Sequence, residues 1–168
     1  MAGATTTDSR RPSLPLVIGV GNERRGDDAA GLAVARALAA RLRGGADVTE
    51  CSSDLTELLE LWGGREDVIL VDGVRSGRPV GTVVRFEVSG QGLPTLPATS
   101  THGLSLSDAV GLGQSLGRIP RHLVIYGVEV GEVGAGEGLT DPVARAVEET
   151  ASRISKELNE RPVPSPGA

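Results

Sequence analysis

Three acids and one imidazole have the type and spacing to do chemistry in this chain. Asp27 and Asp28 stand side by side in "GVGNERRGDDAAG", Asp72 closes "VILVD", and His102 sits in "ATSTHGLSLSDAV". Two carboxylates and one imidazole suit a divalent transition metal, because imidazole favours zinc, nickel and similar ions while oxygen donors harden the site. Three protein ligands leave coordination positions open for water or substrate, the layout of a catalytic or recognition metal. Each residue also has an ordinary reading. Acids in the first turn of a helix suit its dipole, and Asp27 fits such a cap. A charged residue after an apolar run is frequently the polar end of a strand. A lone histidine is usually structural, and His122, in no evident motif, is read that way. Asp28, Asp72 and His102 form the candidate metal-binding and catalytic set.

The elements that must position these residues alternate strand and helix. Leu16–Val20 is a buried strand, and a helix follows from about Asp27 to Arg43, with Leu32, Ala35, Ala39 and Leu42 on one face. Ala46–Cys51 is a second strand, and "SSDLTELLELW" opens a helix at a Ser or Asp cap. "DVILVDG" reads as a central strand covered on both faces. "GTVVRFEV" alternates, with one face wetter, which places it near an edge and antiparallel. The turn before it is too short for a parallel crossover. Ser89–Thr101 is a Gly/Pro-rich loop long enough to be functional. A helix over Leu104–Leu116, a strand in "HLVIYGV", a Gly- and Glu-rich loop and a last helix from Thr140–Asp141–Pro142 complete the chain. The last helix carries the stripe Val143, Val147, Ala151, Ile154 and Leu158. The sum is a three-layer α/β/α sandwich on a mixed five-stranded sheet with one antiparallel strand. In such sheets ligands bind outside the carboxyl ends of the parallel strands, where Asp28 and Asp72 both fall.

The first turn imitates a dinucleotide fingerprint without matching it. Gly19 and Gly21 fit G-x-G-x-x-G, but the third position is Arg24, and Gly26 comes two residues late. The G-K-[ST] ending of a phosphate loop is absent. Asp27 and Asp28 occupy the place where a helix would hold an anion. Glu50, near the end of the second strand, keeps a nucleotide reading open as a mimic of the ribose-binding acid.

Composition narrows the partners. The net charge is −5, and Trp62, Phe86 and Tyr126 are the only aromatics. That argues against nucleic acid, which wants a basic stripe or stacking platforms. Cys51 is the only cysteine, so it can form no internal disulfide and needs no role beyond packing. A reducing, cytoplasmic setting follows as an expectation, with no membrane span. Residues 1–13 and 161–168 read as flexible tails around one folded unit, 14–160.

"GVGNERRGDDAAG", "ILVDGV", "THGLSL" and "IYGVEV…LTDPV" occur in the order found in the hydrogenase maturation proteases, which the chain resembles over roughly residues 15–158. The resemblance implies a phosphorylase/hydrolase-like α/β/α fold. It implies an endopeptidase that removes a C-terminal extension from the large-subunit precursor of a nickel-containing hydrogenase. Asp28, Asp72 and His102 fall on the family's metal-contacting positions, with Asp27 as cap or supporting neighbour. Members carry Glu or Asp at the acidic position, and Ala29 stands where many have Gly. Nickel would be met in the precursor, with no resting metal required. Glu129 is a candidate general base by location, or a solvated loop carboxylate. The loop Ser89–Thr101 could close over the precursor's tail carrying His102, and the acidic loop with Glu129, Glu132 and Glu137 could meet basic residues near the cut. A non-catalytic nickel-binding chaperone could use the same three ligands.

Overall fold

The computed structural model describes residues 14–88, 106–131, 136 and 138–161, and the backbone of 99–100. Its main sheet has β1 (Leu16–Val20), β2 (Asp47–Cys51), β3 (Asp67–Arg75), β4 (Val83–Val88) and β6 (His122–Glu129), in the order β2-β1-β3-β6-β4. β1 pairs in parallel with β2 and β3, and β3 with β6. β4 closes one edge antiparallel to β6, as its alternating sequence predicts. A short sixth strand, β5 (Thr99–Ser100), lies antiparallel against the end of β3.

Helices cover both faces. α1 (Ala30–Arg41) and α4 (Asp141–Glu160) lie on one, where Val34, Leu38, Val143, Val147, Ala151 and Ile154 pack on Val17, Ile69 and Val71. α2 (Leu55–Trp62) and α3 (Leu106–Ser115) lie on the other, where Leu58, Trp62 and Val110 pack on Ile18, Leu70 and Ile125. Even and odd residues of β1 and β3 divide between the two clusters, the period-2 consequence of a strand covered on both sides. α2 starts at Asp54, whose carboxylate accepts from Thr56 N (2.7 Å) and Glu57 N (3.1 Å). Such a cap contributes about 1 kcal/mol.

Three expectations shift. The helix expected from Asp27 begins at Ala30, because Gly26–Ala29 form a separate 3-10 turn entered at Gly26 with φ 56°. Of the face expected on α1, Leu32, Ala35 and Leu42 are buried, joined by Gly31, Val34 and Leu38, while Ala39 is exposed. β3 runs on past Asp72 to Arg75, so Asp72 is an interior strand residue paired with Gly127 and not the strand's polar end.

Candidate active site at the carboxyl edge of the sheet

β1 and β3 are neighbours, yet the chain leaves β1 for β2 on one side and returns to β3 on the other. Such a reversal opens a crevice at the carboxyl ends of the two strands. Its floor is unusually tight. A Cβ built on Gly31 would lie 2.2 Å from Val20 O and 2.5 Å from Val71 O; one on Gly19 would lie 2.3 Å from Gly31 O. One on Gly21 would lie 2.4 Å from Asp28 O. The glycines of the first motif therefore serve close helix-on-sheet packing, with backbone where a side chain would go.

That packing puts the 3-10 turn on the seam. Asn22 N donates to Asp28 O (3.2 Å), Asp28 N donates to Arg25 O (3.1 Å), and Arg24 N donates to Asn22 Oδ1 (3.0 Å). A Cβ on Gly73, the residue after Asp72, would lie 3.7 Å from Asp27 O. The turn that carries Asp28 thus lies against the strand that carries Asp72. Asp28 is 0% exposed and Asp72 1%. Two acids remote in sequence are both withdrawn from water at one crevice, and buried carboxyl groups are rare without a partner or a function.

The adjacent acid has a different task. Asp27 accepts from Thr140 N (2.7 Å) and Thr140 Oγ1 (2.8 Å), with Thr140 at the entrance to α4. Gly26 N donates to Gly136 O at 2.8 Å beside it. "GDDAAG" and "LTDPV" are therefore one structural unit, and Asp27 ties the start of a distant helix instead of capping its own. No sequence signal connects two residues 113 apart.

The other expectations divide. His102, Glu132 and Glu137 lie outside the described residues, so no three-ligand group occurs among the described ones. Two residues before His102, β5 pairs Ser100 with Val74 and Thr99 with Arg75. Glu129 is not a solvated loop carboxylate. It ends β6, is 3% exposed, and accepts from Ser76 N, Ser76 Oγ and Gly77 N. Glu50 is held by Arg36 Nε at 2.8 Å, which occupies the acid that a ribose would need. Cys51 is buried, and its thiol is pushed up to about 11, first by burial and then by the nearby Glu57 carboxylate. A thiol so raised is a poor nucleophile. His122 opens β6 with an exposed side chain, away from the crevice.

Comparison with known proteins agrees with this α/β architecture. The sequence profile of the hydrogenase maturation proteases matches residues 34–157, a span that holds Asp72 and His102 and begins after Asp28. The hydrogenase maturating endopeptidase HybD of E. coli is 25% identical over 88% of this chain and 93% of its own, with a TM-score of 0.74. The [NiFe] hydrogenase maturation protease HybD of Thermococcus kodakarensis is 26% identical over 86% of this chain and 99% of its own, with a TM-score of 0.70. The HycI maturation protease of the same organism, at 24% identity and a TM-score of 0.65, shares the fold. None of the curated proteins compared matches. The chain belongs to the hydrogenase maturation protease family, whose members of known structure include hydrogenase-maturing endopeptidases. Among the described residues no helix is long and apolar enough to cross a membrane.

Proposed function

We propose that this chain is the endopeptidase that removes the C-terminal extension from a nickel-loaded hydrogenase large-subunit precursor, with Asp28, Asp72 and His102 engaging the nickel. The observation that carries the reading is the burial of Asp28 and Asp72 together at the β1–β3 crevice. Two carboxyl groups brought to one sheet edge offer hard oxygen donors of the kind a divalent metal takes.

His102, outside the described residues, joins them as the third donor that the family resemblance implies. The donor set of two oxygens and one imidazole nitrogen fits nickel with positions left open. An ion so held can polarise a peptide carbonyl or activate water. The nickel is part of the substrate, and the protein's part is to grip it and to align the adjoining peptide. The 3-10 turn carries Asp28 to the seam, and β3 carries Asp72. The setting that accompanies such a substrate is cytoplasmic, and the partner is the precursor itself.

Incubation with a nickel-loaded precursor, followed by mass spectrometry, tests the reading. A product shortened at its C-terminus is expected, and D28N, D72N or H102A should each abolish it while circular dichroism stays native. Binding without shortening by the unaltered protein would make it a nickel-binding chaperone and refute the protease reading.

A further inference from the structure

Because β6 lies between β3 and β4, the connection Ser76–Thr82 must cross over the end of β6. Glu129 sits beneath this bridge. Ser76 N and Gly77 N donate to its Oε1 at 2.8 and 3.0 Å, and Ser76 Oγ donates to its Oε2 at 2.6 Å. Its main chain joins in: Gly81 N donates to Glu129 O, and Glu129 N donates to Thr82 O, both at 2.8 Å. While donating to Glu129, the Ser76 hydroxyl accepts from Arg78 Nη1 at 3.0 Å. A buried acid thus orients an exposed guanidinium through one hydroxyl. The neighbouring Arg75 is tied down by donating from Nε to Gly131 O at 3.1 Å.

Arg78 is exposed, and among the described residues no ion pair includes it. The bridge begins four residues after Asp72, next to the point where Thr99 meets Arg75, so Arg78 is presented at the edge that holds the two buried acids. Arg24 and Arg25, in the loop after β1, are exposed at the same edge. Preorganised guanidinium groups select planar, bidentate acceptors, and a carboxylate is the one a peptide offers.

We propose that Arg78 is a specificity-determining residue that takes a carboxylate of the substrate's C-terminal extension, and that Glu129 is a positioning residue acting on it through Ser76. This rests on the protease reading for the identity of the substrate. The carboxylate is either the chain terminus or an acidic side chain of the extension. One charge-assisted hydrogen bond is worth about tenfold in affinity.

The test is steady-state processing of nickel-loaded precursor, together with binding of a fluorescent synthetic peptide of the extension. R78A should raise KM roughly tenfold with kcat nearly unchanged, and R78K should recover part of it. E129A should raise KM as well, E129Q less so because its amide oxygen still accepts, and R78A/E129A no more than R78A alone. A precursor whose tail acids are changed to amides, and one lengthened by a residue at its end, separate the two sources of carboxylate. The matching change should cost the native enzyme the same factor and cost R78A nothing further. An unchanged KM for folded R78A, or equal penalties for native and R78A enzyme on both altered precursors, would overturn the proposal. If the native protein binds the peptide through Arg78 yet never cuts, the carboxylate grip stands and the protease reading falls. If it cuts with a KM indifferent to Arg78, the grip falls alone.

Discussion

Asp27 accepts from Thr140 with both carboxyl oxygens, and Asp28, its neighbour, is buried against the seam of β1 and β3. Substitution should separate the two. D27A removes two hydrogen bonds that join the 3-10 turn to α4, and a loss of about 1–3 kcal/mol in urea unfolding is expected. D28N keeps shape and packing, so its unfolding midpoint should stay close to native while processing is lost. Equal midpoints for D27A and native protein would show that the tie to α4 is ornamental. Sequence revealed the pair of acids but not the division of labour, since Thr140 is far along the chain. Glu129 was hidden for a similar reason: a glutamate before a Gly-rich loop looks solvated until the Ser76–Gly77 amides arrive from another turn. Asp72 looked like a strand end because an acid usually stops an apolar run; here the strand continues, with the residue buried and in register with Gly127.

At the level of elements, the antiparallel edge strand and the final helix were legible because each carries a strong period: alternation in β4, and Val143, Val147, Ala151 and Ile154 on α4. What period cannot show is how α4 is fastened at its far end. Glu157 accepts from Arg85 Nε and Nη2, from Arg161 Nη2 and from the Tyr126 hydroxyl, joining α4 to β4 and β6. Burial opposes its charge, but the hydrogen bonds from Arg85, Arg161 and Tyr126 outweigh that and hold its carboxyl at about 2, below the usual 4.5. Burial and the same glutamate push the Tyr126 hydroxyl up to about 12. A carboxyl group with a depressed folded-state value adds stability above its unfolded value, and that stability is lost as the group becomes protonated in the folded protein. Urea midpoints of native and E157Q protein should therefore differ at neutral pH and converge as pH falls from about 4.5 to about 2. A difference that stays constant over that interval would mean that Glu157 is not held ionised by these partners.

Across the whole molecule, the candidate site and the Glu157 ion cluster lie at opposite ends of the sheet. The carboxyl ends carry Asp28, Asp72 and the bridge over Glu129. The amino ends border a cavity of about 980 Å³ lined by Asp67, Arg85, Glu157 and Arg161, charges largely satisfied by one another. The strand order reverses between β1 and β3, and a reversal is a property of the assembled sheet that no single motif spells out. The central claim is that three side chains from separate segments grip one ion there. Crystals of the protein soaked with nickel(II), with diffraction collected at the metal's absorption edge, address it directly. One anomalous peak is expected at roughly 2.0–2.2 Å from carboxyl oxygens of Asp28 and Asp72 and an imidazole nitrogen of His102. A peak bound elsewhere, or a native crevice with His102 turned away and no ion between the two acids, would contradict it.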